Sequence, residues 1–351
     1  MSIEIREIAK IWGNRTLYVI SSSNVIHTYI GFGVIDRGTN VLQVRPTTLC
    51  PLNCIFCSVD AGPYSRNRVA EFIVDLDTMI NSVKAIAEYK GGGIEALIDT
   101  IGEGLTYPQI FDLIRLLKRL PSIESVALET HGLLLSIDIV KKLEEAGLDR
   151  INLSIDSLNP EKARFLQGVE WYDVNKVREI AEYIARETSI DLHVTPVWIP
   201  GINDKDVVEI IEWAYRIGTG KKWPPATIQK YVVHKYGRKI PGIKPLSWKS
   251  FWRWVREFES RYGLRISWDM SEWGMKRTKR YPCEYKRGDK LIVDVLAPGV
   301  FRGEFISVDK SKNVIITLTG KGIKIGYSYY AEIIEDRDCL LIARAIHRIR
   351  I

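Results

Sequence analysis

Arg45-Pro-Thr-Thr-Leu-Cys50-Pro-Leu-Asn-Cys54-Ile-Phe-Cys57 places three of the chain's five cysteines at the spacing C-x3-C-x2-C, with Phe56 immediately before the third. Three thiolates so close in sequence can converge on one metal cluster. An iron–sulfur cube held entirely by protein takes four cysteines, so a three-cysteine loop leaves one iron open. An open coordination position is what separates catalytic metal sites from structural ones. The competing readings are a set of buried thiols or a partial zinc knuckle. A zinc knuckle requires a fourth Cys or His at short spacing, and the nearest histidines are His27 and His131.

Outward from that loop, residues 41–234 alternate short apolar strands with amphipathic helices. Strands are expected at 41–45, 95–101, 125–130, 150–156, 191–197 and 226–233. Helices are expected at 76–89, 107–120, 136–146, 172–187 and 204–217. Six βα repeats predict a parallel sheet with helices outside it. Pattern alone leaves a partial barrel and a doubly wound sheet open, and in both the ligand sits beyond the carboxyl ends of the strands. Alternation along the strands turns Gln43, Arg45, Asn152, Ser154, Asp156, His193, Thr195, Gln229 and Tyr231 toward the interior. A structural barrel core would be filled with Val and Ile, so this polar interior reads as a ligand cavity. Gln43, Arg45, Asp99, Glu129, Asn152, His193, Gln229 and Tyr231 are its candidate substrate contacts; a satisfied hydrogen-bond network is the plainer alternative.

At 351 residues, 46% hydrophobic and 26% charged, the chain has the composition of an ordinary globular protein. No apolar run approaches a membrane span, and the acidic start Met1-Ser-Ile-Glu-Ile-Arg-Glu does not read as a signal peptide. Few cysteines, three of them clustered, favour a reducing cytoplasm over a disulfide framework. The net charge of +7 is unevenly placed: residues 221–290 hold 19 Lys+Arg against 6 Asp+Glu, which leaves the rest of the chain acidic. A basic segment on an acidic body suits a polyanionic partner, although a solvated surface gives the same count. Six of the ten tryptophans lie between Trp223 and Trp273. Ser247 can cap a helix over 248–262, with Trp252 off its apolar stripe beside Arg253 and Arg256, placed to cover a neighbouring element or to stack on bases. Residues 281–351 read as five short strands separated by turns, a small β-barrel. The expected organisation is an N-terminal extension (1–40), an α/β core (41–235), a basic Trp-rich helical linker (236–280) and the β-barrel (281–351).

The cysteine loop, placed after the first strand of a repeating βα chain, resembles the signature of the radical SAM superfamily, and the resemblance covers about residues 41–235. It implies a partial (β/α)6 barrel, a [4Fe–4S] cluster on Cys50, Cys54 and Cys57, and S-adenosylmethionine (SAM) chelated at the open iron. One electron, from a low-potential donor such as ferredoxin, would cleave SAM to methionine and a 5′-deoxyadenosyl radical. Cofactor contacts are carried over motif by motif. Gly102-Glu103 matches the latter part of the Gly-Gly-Glu motif, with Ile101 in place of its first glycine and Gly104 in place of the usual proline. Thr130-His131-Gly132 resembles the Thr-Asn-Gly turn, and Ser154 and Asp156 match residues that bond the ribose. Val197 to Asn203, with Val197 and Ile199, resembles the turn that meets the adenine edge, and Phe56 would pack on the adenine. The last seventy residues resemble a TRAM domain through 286–295, Arg302-Gly-Glu304 and Gly322-Ile-Lys-Ile325, and the whole chain resembles archaeal radical SAM–TRAM proteins.

These resemblances imply an enzyme that modifies RNA, tRNA in the first place. The alternative is radical chemistry on a protein, peptide or small metabolite, with the barrel as scaffold. A non-enzymatic RNA-binding protein with a structural cluster is a third reading. A full methylthiotransferase is disfavoured because residues 1–49 contain no cysteine. Of the two remaining cysteines, Cys339 reads as core, and Cys283, at a domain joint, is a candidate relay. Oligomeric state is not decided by the sequence.

Overall fold

The computed structural model describes residues 3–309, 311 and 313–349; the ends of the expected N-terminal extension and C-terminal barrel, residues 1–2 and 350–351, lie outside them. The chain divides into two compact units, one made of residues 1–49, 63–125 and 277–351, the other of 50–62 and 126–276.

In the first unit, β1 (Glu4–Ile11) and β2 (Arg15–Ser21) form an antiparallel hairpin. Its turn places Trp12, Gly13 and Asn14 at positive φ. β3 (Gly33–Asp36) pairs antiparallel with β4 (Val41–Arg45), the strand that leads to the cysteine loop. β5 (Ala70–Val74) then adds parallel to β2. Asp75 caps α1 (Leu76–Lys90) by accepting from the Thr78 N–H, and Gly91, at φ 92°, ends it. β6 (Ile94–Ile98) lies parallel to β4, followed by α2 (Ile110–Arg119), which buries Ile110, Leu113, Ile114 and Leu117. β7 (Ile123–Thr130) begins in this unit and ends in the next.

In the second unit, α3 (Ile137–Glu145) leads to β8 (Arg150–Leu153). Then come α4 (Pro160–Gln167), α5 (Val174–Glu187) and β9 (Asp191–Val194). β10 (Val197–Trp198), α6 (Asp204–Ile217), β11 (Gln229–Lys230) and α7 (Trp248–Tyr262) complete it. β7, β8 and β9 are parallel, with Glu129 opposite Asn152 and Asn152 opposite His193. Neighbours in parallel register project to one face, so these three expected contacts share a face of the sheet. The strand order of the main sheet is β3-β4-β6-β7-β8-β9, the mixed α/β arrangement expected. Several elements differ from expectation: β1, β2, β3 and β5 lie where no strand was expected, and the expected strand over 191–197 is split into β9 and β10. α4 was not expected; Asn159 caps it and Pro160 opens it, and its eight residues are too few to show a helical period. The expected strand over 226–233 shrinks to the two residues of β11, paired with β10. Polar groups just before β11 are taken by side chains, the Pro224 carbonyl by His193 Nδ1 and the Ala226 carbonyl by the Trp268 indole.

Back in the first unit, β12 (Lys290–Pro298), β13 (Glu304–Asp309), β14 (Val314–Thr319), β15 (Ser328–Glu335) and β16 (Ile342–Arg348) close into a barrel of order β12-β13-β14-β16-β15. Period-two alternation in β12 sends Leu291, Val293 and Val295 inward, against Ile316, Leu318 and Ile333. Closure removes the exposed edge that a five-stranded sheet would otherwise present. The barrel is joined to the N-terminal strands by buried polar contacts. Thr28 Oγ1 donates to the Ile315 carbonyl at 2.7 Å, and the Tyr29 hydroxyl accepts from the Val300 N–H at 2.9 Å. Asp36 accepts from Lys90 Nζ and from the Tyr281 N–H, both at 2.8 Å.

One expectation is corrected here. Cys283 and Cys339 form a disulfide, with Cα atoms 5.5 Å apart, so Cys283 is not a free relay thiol and Cys339 is not an isolated core thiol. The 56 residues between them hide the pairing in sequence; the turn between β15 and β16 brings residue 339 back to the segment that enters β12.

Glu71 of β5 is fully buried and holds two cations. Its carboxylate takes Arg15 Nη1 at 2.8 Å, Arg68 Nη1 at 3.0 Å and the Thr48 hydroxyl at 2.5 Å. Removing one member of a buried ionic network leaves charge without compensation and costs about 3–5 kcal/mol. Glu71→Ala should therefore lower stability by about that amount in denaturant unfolding followed by circular dichroism, whereas a change below about 1 kcal/mol would contradict the role given to this carboxylate.

Candidate metal-cluster and cofactor site

The cysteine loop contains no helix or strand, so its shape has to come from tertiary bonds. The Asn53 N–H donates to the Gln167 carbonyl at 2.9 Å and the Ile55 N–H to the Leu166 carbonyl at 3.0 Å, tying the loop to the C-terminus of α4. The approach is close enough that a Cβ on Gly168, at φ 65°, would lie 2.1 Å from the Asn53 carbonyl oxygen. At the loop's end, a Cβ on Gly62 (φ 108°) would lie 1.7 Å from the Leu52 carbonyl oxygen.

Arg238 latches the same loop. Its guanidinium donates to the carbonyls of Cys54 (2.8 Å) and Ala61 (2.5 Å) and to Asn53 Oδ1 (2.6 Å), and pairs with the buried Asp60 at 2.8 Å. The Arg238 N–H also donates to the Cys57 carbonyl at 2.8 Å. A planar guanidinium with five donors suits this task. Sequence reading counted Arg238 only as part of the basic segment.

Within the loop, none of Cys50, Cys54 and Cys57 is in a disulfide, and the first two are buried. Burial pushes the Cys54 thiol up, and the negative charges of Cys57, Cys50 and Asp156 push it the same way against the pull of Arg238. Cys57 and Cys50 thus both lie close enough to act electrostatically on Cys54. Cys54 Sγ donates to Gln167 Oε1 at 2.8 Å, and Gln167 Nε2 donates to Asp156 at 2.8 Å. Three thiols outside any disulfide, on one pinned loop, fit a [4Fe–4S] cluster with one iron left for another ligand.

The expected SAM contacts fall at strand ends. In the second unit, Asp156 is buried, and one carboxylate oxygen takes the Val197 N–H at 2.8 Å while the other takes Gln167. Burial raises its pKa to about 7, against the pull of those two donors. Asn203, which the sequence reading placed only at the end of a turn, organises that turn. Its Oδ1 accepts from the Ile199 N–H at 2.8 Å, and its Nδ2 donates to the carbonyls of Val197 (2.9 Å) and Asp156 (3.2 Å). The Thr130 hydroxyl accepts from the Gly132 N–H at 3.0 Å, and its carbonyl from the Ser154 N–H at 2.9 Å. Phe56 is buried. In the first unit, the Glu103 N–H donates to the carbonyl of Leu49, the residue before Cys50, at 2.7 Å. A Cβ on Gly102 would meet that same oxygen at 2.1 Å, so position 102 has to be glycine for this close approach. The Glu103 carboxylate accepts from the Leu105 N–H at 3.2 Å.

The candidate substrate contacts separate by unit. Gln43, Arg45 and Asp99 form one cluster: Gln43 and Arg45 both donate to Asp99, Arg45 through Nη2 at 3.0 Å to the carboxylate and through Nε at 3.0 Å to the carbonyl. In the second unit, Asn152 accepts from Arg150 Nε at 2.9 Å, and Arg150 lies over the rings of Trp223 and Trp273. His193 is buried, with Nδ1 against the Pro224 carbonyl at 2.8 Å and Nε2 against the Thr227 hydroxyl at 2.9 Å. Burial lowers its pKa to about 3, so it is neutral at physiological pH and both nitrogens are engaged within the chain. Tyr231 is buried and its hydroxyl accepts from the Ile240 N–H, whereas Gln229 is exposed beside Val197.

The chain is similar to several known proteins. The radical SAM superfamily profile matches residues 44–214. An uncharacterised protein of Methanocaldococcus jannaschii is 33% identical over 96% of this chain and 82% of its own length. The GTP 3′,8-cyclase of Syntrophomonas wolfei is 31% identical over 51% of this chain and 52% of its own, so the chain spans about half the length of that relative. Among solved structures, SuiB of Streptococcus suis bound to its precursor peptide SuiA superposes with a TM-score of 0.49 at 17% identity, over 64% of this chain and 47% of SuiB.

Groups that orient metal ligands from behind are commonly worth 10–100-fold in metal affinity. Arg238→Ala should therefore lose iron and acid-labile sulfide to a chelator about 10–100-fold more readily than the parent after anaerobic reconstitution. A folded variant with unchanged iron retention would contradict the latch.

Proposed function

We propose that the chain, whose residues 44–214 match the radical SAM superfamily, is a cytoplasmic enzyme that modifies RNA, tRNA in the first place, by radical chemistry begun at Cys50, Cys54 and Cys57. That family implies a [4Fe–4S] cluster and SAM, and the donor set in the loop fits the first. When bound there, these cofactors supply one-electron cleavage of the sulfonium to methionine and a 5′-deoxyadenosyl radical, with the electron from a low-potential donor. The residues of the chain bind and orient. The Arg238 latch and the Gln167 carbonyl hold the loop, while within the second unit Ser154, Asp156 and the turn from Val197 to Asn203 offer polar groups for the ribose and adenine parts of SAM. Buried Phe56 offers an apolar surface for the base.

The observation that carries the RNA reading is the solvent face of α7. Trp248 and Trp252 are 59% and 46% exposed, and Lys249, Arg253 and Arg256 are exposed alongside them. Residues 248, 252 and 256, and 249 and 253, follow the i, i+4 spacing of one helical stripe. Trp252, expected to cover a neighbouring element or stack on bases, is open to solvent. Exposed aromatics among cations provide stacking and phosphate contacts together. Part of the basic segment is occupied internally: Arg238 in the loop, Arg265 on Glu272 at 2.6 Å, and Lys221 on the carbonyls of Ile184, Thr188 and Ile190. The stripe on α7 therefore matters more than the overall charge count. The TRAM-like barrel over 281–351 is proposed as a second RNA contact.

A second reading, chemistry on a small molecule with the barrel as scaffold, draws on the GTP 3′,8-cyclase relatives, whose name gives a nucleotide as substrate.

For the chemistry, anaerobic reconstituted protein given dithionite and SAM should release 5′-deoxyadenosine; Cys54→Ala should abolish it, and activity surviving in that variant would refute the cluster assignment. For the substrate, tRNA affinity should fall steeply with salt, and Trp252→Ala should weaken it by about 1–3 kcal/mol, roughly five- to 150-fold. Nucleoside mass spectrometry of RNA from cells lacking the gene should show a missing modified nucleoside; unchanged RNA would favour the small-molecule reading.

A further inference from the structure

Away from the cluster loop, in the first unit, a second group of metal-ligating side chains surrounds the disulfide. His27 is buried, and its Nε2 lies 3.7 Å from Cys339 Sγ and 3.7 Å from Glu284 Oε2. The three donor atoms all lie within 4.8 Å of one another. Cys283, bonded to Cys339 and adjacent in sequence to Glu284, is a fourth potential ligand. At 3.7 Å a nitrogen and an oxygen are too far apart for a hydrogen bond. The separation instead matches the edge of a metal tetrahedron. With Zn–S arms of about 2.3 Å and Zn–N and Zn–O arms of about 2.0–2.2 Å, ligand atoms stand about 3.3–3.8 Å apart.

We propose that Cys283, Cys339, His27 and Glu284 form a redox-gated site for a thiophilic divalent cation of the zinc type, closed as a disulfide when oxidised and able to take the ion when reduced.

The chemistry balances with a dithiol as reductant. Its thiolate attacks one sulfur of the Cys283–Cys339 bond, and its second thiol resolves the mixed disulfide. Two electrons and two protons pass to the cysteines, and the dithiol leaves as a disulfide. Binding of the ion then displaces the two thiol protons. His27 supplies a neutral imidazole, because burial holds its pKa below the ordinary value. Nε2 now faces the Pro282 carbonyl at 3.2 Å, and Nδ1 is buried without a hydrogen-bond partner. With the ring proton on Nδ1 the Nε2 lone pair is available to the metal, the usual arrangement of a ligating histidine. Cys283 and Cys339 are each only half-buried, so the disulfide is not sealed in the core, whereas Glu284 Oε2 and His27 are covered. Both states cross-link the same two points, the turn at 339 and the entry to β12.

This site does not depend on the reading of the substrate or of SAM cleavage, and its test is independent of both. The full-length protein is reconstituted with iron and sulfide so that Cys50, Cys54 and Cys57 are occupied, then divided into a diamide-oxidised and a dithiothreitol-reduced sample. Both are desalted anaerobically and incubated with zinc chloride. Metal analysis should find one more zinc per chain in the reduced sample than in the oxidised one at equal iron content. The Cys283→Ser/Cys339→Ser double variant should take up none in either state. Cobalt(II) in place of zinc should give sulfur-to-metal charge-transfer absorption in reduced parent protein alone, and this readout needs no variant to fold. His27→Ala should weaken zinc retention by tenfold or more. Equal zinc in reduced and oxidised parent, or undiminished zinc in the double-serine variant, would overturn the proposal.

Discussion

The guanidinium of Arg238 meets a requirement that the cysteine loop cannot meet alone. Three thiols must be presented together by a segment without helix or strand, so the peptide groups of that segment need partners outside it. One planar cation collects the carbonyls of Cys54 and Ala61 and the side chains of Asn53 and Asp60, while the end of α4 accepts the N–H groups of Asn53 and Ile55. The glycines at 62 and 168 stand where the backbones approach too closely for a side chain. Pinned from two sides, the loop would not have to be ordered by a bound cluster, and less of the binding free energy would be lost to ordering.

Much of this was legible from the sequence. C-x3-C-x2-C is local, and so is the period-two and period-3.6 patterning that located β4, α1, α6 and the five barrel strands. What could not be read depends on distance along the chain. Arg238 is more than 180 residues from Asn53, and in sequence it is one cation among many. Gln167 ends a helix too short for its period to show. The pairing of Cys283 with Cys339 depends on a turn that only the closed barrel creates. Of the polar residues expected to line a cavity, His193 and Tyr231 bond within the chain, as the plainer alternative of a satisfied network has it, and Gln229 is exposed.

Charge was the weakest guide. A net count treats Lys221, Arg238 and Arg265 as available to a partner, yet each is held by carbonyls or carboxylates of the chain itself. The exposed stripe on α7 carries a more specific message, because it combines accessible rings with cations at helical spacing.

The joints between the barrel and the N-terminal strands bear on how such a tail could be gained or lost. Tyr29 and Thr28 bond backbone groups at Val300 and Ile315, and Asp36, itself paired with Lys90, bonds the backbone at Tyr281. Deleting the tail would remove the partners of these groups and expose the apolar surface around them, and each polar group left buried without a partner would cost about 1–3 kcal/mol. The C-terminal barrel is therefore not a detachable module. Any ancestor that acquired it had to remodel residues 25–40 in the same history, and the two segments should vary together across related chains.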